Sequence, residues 1–339
     1  MPSRARRPLA TNIWRVLLWS LIPAYLLYLV HYTTFFQGVY IATVRDMYFA
    51  CMRLTETPYA YQMVTGTCAL ANLEYKVTMT HDAMGFRDNG AAAGARIVVL
   101  GDSHAYGHGV NDDQTFAALL ASQLGEPVRN LALPAFATRR ELEAYVAQAR
   151  AAPLIVLQYC NNDLDENVPS LALLAPVYLL TLHQRMGEVI KNYHHTKQQG
   201  AMGQTMLALA YGARQLVQAR FFNLPMAAPD EASLPQEADA FAAVLAQYQP
   251  WLDGKTVVVL ESSGWGRNRK AFKTVFAQRL QALPHVNWLV LDSSAVLTSA
   301  DYFRLDDHLN ASGHRRLALA LAPLLRQALT EKRPAWTRR

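Results

Sequence analysis

Apolar and polar positions alternate in two distinct rhythms along this chain, and the change between them falls near residue 95. From Arg96 onward, short unbroken apolar runs are separated by longer stretches with helical spacing. This pattern predicts strands near 96–101, 127–132, 153–159, 255–261 and 287–292, and helices near 114–124, 138–150, 236–249, 268–282 and 310–329. Unbroken apolar strands alternating with helices argue for an α/β fold, a central parallel sheet covered by helices on both faces. The interval from about 164 to 235 breaks the rhythm. Its apolar stretches, Leu171 to Leu182 and Met202 to Phe222, predict a helical insertion, either an extra helical layer or a cap over the sheet. Before the change of rhythm, residues 37–94 form an accessory segment whose Tyr and Thr alternation around Leu73 to Met79 predicts a short strand.

The N-terminus follows neither rhythm. Val16 to Phe36 is an almost uninterrupted apolar run, preceded by Arg4, Arg6, Arg7 and Arg15. At 1.5 Å per residue, about 20 residues cross a hydrocarbon core of about 30 Å. The expectation is a single-pass transmembrane anchor over 16–36. Residues 1–15 would be cytoplasmic and the remainder exported, since arginine-rich flanks stay on the cytoplasmic side. A cleaved signal peptide and a buried soluble helix are the competing readings, the first weakened by the length of the run and the lack of a small-residue cleavage site. The expected location is the cell inner membrane, with the main domain periplasmic or extracellular.

Composition adds limits. With 339 residues, 52% of them apolar, the chain can bury a sizeable core, and disorder is excluded as its general state. The net charge of +6 is concentrated at the ends, including the basic tail 331–339. No basic stripe with interleaved aromatics runs through the middle, so nucleic acid is not an expected partner. Of the three cysteines, Cys51 and Cys68 follow the apolar run, and an oxidising compartment would allow them to pair; Cys160 lies in an apolar strand, as an inert buried thiol would. No spacing of Cys, His and acidic residues matches a metal site, and neither metal nor organic cofactor is expected.

The candidate chemistry begins at Gly101-Asp102-Ser103, where an apolar strand runs into a turn that presents one hydroxyl. Such a serine is a poor nucleophile unless an imidazole takes its proton. Asp306-Asp307-His308 can supply that base with a carboxylate to orient it, and Asn161-Asn162-Asp163 an amide for an oxyanion. Asp306 is preferred to Asp307 as the orienting acid because consecutive extended residues point to opposite sides; Asp301 is a remote third choice.

Four blocks taken in order carry a family resemblance: Gly101 to Val110, Asn130 to Ala135, Tyr159 to Asp163 and Asp306 to His314. Over about residues 95–330 the chain resembles the SGNH (GDSL-type) hydrolase superfamily, with an Asp-x-His arrangement similar to that of alginate-acetylating relatives. The resemblance implies a three-layer α/β/α sandwich of flavodoxin-like type, with Ser103 as nucleophile, His308 as general base and Asp306 as the third member. It also implies an oxyanion hole from the Ser103 and Ala135 backbone N–H groups and the Asn162 side chain. Two departures stand out. Ala135 and Cys160 occupy positions where the family has glycine, and an alanine lacks easy access to positive φ. The implied function is an exported serine esterase acting on ester groups, O-acetyl above all, of cell-envelope or exported carbohydrate. The alternatives are a polysaccharide O-acetyltransferase using the same triad, or a non-catalytic glycan-binding or scaffold protein.

Overall fold

The computed structural model describes residues 18–23, 25–26, 51–55, 59–71, 74–90, 94–172, 175–197, 230–304 and 306–331. Five parallel strands form the central sheet: β5 (Ile97–Leu100), β6 (Val128–Asn130), β7 (Leu154–Tyr159), β8 (Thr256–Glu261) and β9 (Asn287–Val290). Their spatial order is β6-β5-β7-β8-β9, or 2-1-3-4-5 counted within the sheet. All residues of β5, β7 and β8 are buried, as expected of parallel strands with both faces covered, whereas β9 closes one edge half-exposed.

The strand order dictates where the helices go. Passing from β5 to β6 the chain moves toward one edge, and from β6 to β7 it turns back across the sheet. Right-handed crossovers then put the two connecting helices on opposite faces. Accordingly, α2 (Phe116–Leu124) packs against the C-terminal helix α10 (Ala311–Glu331). A second group brings together α3 (Thr138–Ala149), α4 (Leu164–Ala172), α6 (Leu234–Gln247) and α8 (Phe272–Leu280). Three shorter or peripheral helices complete the chain order: α1 (Ser103–Tyr106), α7 (Gln249–Leu252) and α9 (Ser293–Val296), with α5 (Ala175–Lys197) following α4. In a 2-1-3-4-5 sheet the crevice for ligands opens at the carboxyl ends of the strands where the order reverses, here between β5 and β7. Ser103 lies three residues past the end of β5, and Cys160 three residues past its register partner Leu157 in β7.

The accessory segment folds as two hairpins, β1 (Met52–Leu54) with β2 (Tyr61–Met63) and β3 (Gly66–Ala71) with β4 (Lys76–His81), both antiparallel. Cys51 at the start of the first hairpin is disulfide-bonded to Cys68 in the second, with Cα atoms 6.1 Å apart. Tyr61, Met63, Leu70, Met79 and Phe86 are buried in one hydrophobic cluster with the sheet. Arg87 ties the segment to the domain. Its guanidinium donates to Asp112 (2.5 Å), to the carbonyl oxygens of Gly107 (3.1 Å) and Val110 (2.7 Å), and lies over the Tyr106 ring.

Among the described residues no helix is long and apolar enough to cross a membrane. The expected span Val16 to Phe36 lies largely outside the described residues, which within it are helical at 18–23 and 25–26. Of the expected insertion, 171–172 fall in α4 and 175–182 in α5, while residues 173–174 and the stretch Met202 to Phe222 lie outside the described residues.

Candidate active site

Gly101 lets β5 turn sharply into α1. Its φ of 151° is one that residues with a side chain rarely adopt, and a Cβ there would come within 2.5 Å of Gln158 Oε1 and 2.6 Å of the Ala105 Cβ. Asp102 then caps α1 by accepting the His104 backbone N–H (2.8 Å), while its own N–H donates to Gln158 Oε1 (3.1 Å). Asp102 is thus a structural residue that fixes the turn. The Ser103 hydroxyl that this turn presents lies 2.7 Å from His308 Nε2.

On the far side of the ring, His308 Nδ1 lies 2.5 Å from Asp306 Oδ1, and the same oxygen accepts the His308 backbone N–H at 3.3 Å. A carboxylate can only accept, so Nδ1 carries the proton and the lone pair of a neutral ring at Nε2 faces Ser103. Asp307 Oδ1 is 3.4 Å from the same nitrogen, but its side chain is 43% exposed where that of Asp306 is fully buried. Burial alone would raise the Asp306 carboxyl. His308, by its charge and its hydrogen bond, and His108, whose Nε2 lies 3.7 Å from Asp306 Oδ2, outweigh burial and hold it far below the usual carboxylate range. Asp301, the third candidate, is engaged elsewhere, accepting from Thr298 and Ser312 and pairing with Arg316 (3.0 Å).

Two loops flank Ser103. After β6, Leu133 N–H donates to Gly101 O (3.2 Å), and two residues later Ala135 takes a φ of 60°. The alanine therefore adopts the positive φ that its Cβ disfavours. A non-glycine residue in that region costs about 1–2 kcal/mol, and the surroundings hold it there. Arg140 donates to the Ala135 carbonyl oxygen and bonds Glu166 through two nitrogens (2.7 and 2.5 Å), and Tyr61 OH donates to the Pro134 carbonyl oxygen (2.5 Å). After β7, Asn162 is exposed in the single turn Asn161–Asp163, and buried Cys160 has its thiol pushed well up by burial. Ala135 and Asn162 thus lie in the loops that follow the two strands adjoining β5.

The other histidines of the sequence blocks are buried and serve different ends. Burial holds His104 below its ordinary value, and its Nδ1 meets Ser262 Oγ (3.1 Å). His314, pushed down to about 3 by burial, accepts the Phe116 backbone N–H at Nδ1 (3.2 Å). His108 belongs to the site. Its Nε2 lies 2.8 Å from the Tyr75 hydroxyl, which donates to Asp306 Oδ2 (2.9 Å). Potential ligand atoms of His108, Asp306 and His308 fall within 4.8 Å of one another, a spacing that would admit a cation. A metal on His308 Nδ1 would have to displace the proton shared with Asp306, so we read the cluster as a hydrogen-bonded network.

Sequence reading missed Tyr75, Glu74, Arg140 and Glu141, and took Asp163 for a turn residue, whereas Glu141 and Asp163 are both buried. Burial raises the Glu141 and Asp163 carboxyls well above the ordinary range; the charges of Asp102 and Glu166 push Glu141 further up, and that of Glu141 pushes Asp163 further up. Asp163 accepts from Thr138 Oγ1 (3.3 Å), and both Glu141 oxygens are buried without a hydrogen-bond partner. The position of His108 in the first block, five residues past Ser103, was the one available signal; a contact from Tyr75 to Asp306 leaves no local pattern.

No family model and no curated protein matches this chain. Among solved structures, it is similar to a family two carbohydrate esterase from Cellvibrio japonicus (13% identity, TM-score 0.39), with 69% of this chain covered and 61% of that one. This chain thus matches somewhat under two thirds of that esterase. It is similar also to TesA (13% identity, 68% and 97% covered, TM-score 0.38). A third likeness is to a putative lipolytic protein of the G-D-S-L family from Desulfitobacterium hafniense DCB-2 (14% identity, 67% and 98% covered, TM-score 0.35). Likeness at this level leaves the function to be argued from the site's own geometry.

Proposed function

We propose that this protein is a serine esterase that acts through Ser103, His308 and Asp306 on ester groups, O-acetyl above all, of cell-envelope or exported carbohydrate. One observation carries the reading: a continuous hydrogen-bonded line from the Ser103 hydroxyl through both nitrogens of His308 to a fully buried carboxylate. That line is what acyl transfer from an unactivated hydroxyl requires. His308 Nε2 takes the Ser103 proton as the oxygen attacks the ester carbonyl, and Asp306 holds the ring in its tautomer and balances the imidazolium. The tetrahedral oxyanion is bound by the Ser103 and Ala135 backbone N–H groups and the Asn162 amide. Collapse returns the His308 proton to the departing alcohol. Water activated by the same ring then releases the acid and restores Ser103.

The carbohydrate class rests on the sequence blocks that resemble alginate-acetylating relatives and on the proposed address. In that address Val16 to Phe36 anchors the chain in the inner membrane and the catalytic domain faces the periplasm or exterior. An enzyme reporter fused after Arg339 should then be active outside the cytoplasm, and activity only inside would overturn the topology. The catalytic reading is tested by turnover of an aryl acetate and of an acetylated oligosaccharide by the full-length protein. Ser103→Ala should abolish both with the unfolding midpoint unchanged, whereas wild-type-like turnover in the folded variant would overturn it.

A further inference from the structure

The Ser103–His308–Asp306 line occupies only one oxygen of Asp306. The other, Oδ2, receives the Tyr75 hydroxyl at 2.9 Å, and the Tyr75 oxygen is itself 2.8 Å from His108 Nε2. A phenol has one proton. With that proton directed to Asp306, the hydrogen in the second contact must sit on His108 Nε2, so His108 donates to Tyr75 and Tyr75 donates to Asp306. His108 and Asp306 have fully buried side chains and Tyr75 is buried. The His108 ring lies 4.4 Å from that of His308, and the Tyr75 ring packs on Phe303 at 4.8 Å.

Tyr75 does not belong to the α/β domain. It lies between β3 and β4 of the accessory segment, 231 residues from Asp306 in sequence. The same turn makes a second attachment: the Glu74 carboxylate accepts the backbone N–H groups of Arg304 (2.7 Å) and Asp306 (3.1 Å). Arg87, from the end of that segment, grips the carbonyl oxygens of Gly107 and Val110 on either side of His108. A carboxylate held at one oxygen can rotate or exchange oxygens, and its full charge stays local; a second donor at Oδ2 removes both freedoms.

We propose that Tyr75, oriented by His108, is a positioning residue that fixes the Asp306 carboxylate against His308, so that the accessory hairpin completes the catalytic machinery rather than merely flanking it. The inference rests on the reading of His308 as general base. Removing the hydroxyl would return negative charge to Asp306 and make His308 more basic.

The decisive measurement is an NMR titration of His308 in the full-length protein and in Tyr75→Phe, which keeps the ring on Phe303 and removes one oxygen. His308 is faced by Asp306, Asp307, His104 and His108, all unchanged in the variant. The midpoint should rise by about half a pH unit. Turnover per active site, counted by fluorophosphonate labelling, should fall about tenfold with KM unchanged. An unmoved midpoint in folded Tyr75→Phe would overturn the proposal whatever the turnover. Should that variant fail to fold, His108→Gln tests the same chain from its other end and must give a shift of the same sign. A shifted midpoint in a protein without Ser103-dependent turnover would keep the role of Tyr75 and sink the esterase reading instead.

Discussion

Two buried polar networks in this molecule are built from similar parts and can do different things. On the α6–α8 side, Arg269 bonds Glu261 through Nε (2.6 Å) and Glu237 through Nη1 and Nη2 (2.5 and 2.7 Å). Tyr159 adds a donor to Glu237 (2.8 Å), and all three charged side chains are at most 3% exposed. At the carboxyl ends of the strands, Asp306 is served by His308 and Tyr75. A guanidinium is always charged and has no proton to give at accessible pH, so the Arg269 network can only hold α6, the turn before α8 and the end of β8 together. The Asp306 network is made of titratable donors and leads to a hydroxyl, so a proton taken from Ser103 has a place to go. Burial of charge therefore does not identify the site. The ability of its proton to move does.

The comparison is broken most severely at Asp306. Asp306→Asn should lower turnover about 10⁴-fold, because an amide can impose the wrong tautomer on His308. Asp307→Asn should cost less than about threefold, and equal losses would show that the more exposed carboxylate is the working one. In the other network the expected loss is of stability. Arg269→Met strands two buried carboxylates and should cost about 3–5 kcal/mol in urea unfolding. Turnover per labelled site should stay within about twofold of wild type, and a large loss in the folded fraction would mean that the networks are coupled. Asn162→Ala should reduce kcat by about 10²–10³-fold with KM little changed if the amide meets the oxyanion only in the transition state.

A third buried group shows itself in the pH dependence of stability rather than in turnover. Glu141 is buried and raised above its ordinary value of 4.5, so the folded protein keeps a proton that the unfolded chain releases. Stability must then fall as pH rises above about 4.5, with a slope of up to about 1.4 kcal/mol per pH unit until the folded group ionises. Glu141→Gln, always neutral, should flatten that slope above the ordinary carboxylate range and raise the unfolding midpoint there. An unchanged pH profile would show that Glu141 finds a partner when folded.

What was legible from sequence follows the range of the forces involved. The central strands read as continuous apolar runs because both faces of a parallel sheet are covered, and β5, β7, β8 and the five predicted helices α2, α3, α6, α8 and α10 lie close to where the pattern puts them. Ser103 was legible as a residue type just past a strand end, and Asp306 and His308 as residue types in the loop before α10. Their union with Tyr75 was not, since nothing local in Leu73 to Met79 records a contact 231 residues away. Nor was the positive φ of Ala135 legible, because it is imposed by Arg140 and Tyr61 from other elements. Glu141 and Asp163 read locally as a helix residue and a turn residue, and only the packing of α3 against the loop after β7 buries them together.

The central claim is that Ser103 is a nucleophile activated by His308. Its most direct test is to treat the full-length protein with a fluorophosphonate and locate the adduct by mass spectrometry of its peptides. The account predicts one adduct, on Ser103, lost in Ser103→Ala and formed far more slowly in His308→Ala although that variant keeps the serine. Labelling spread over other residues, or labelling of Ser103 at an undiminished rate without His308, would contradict it.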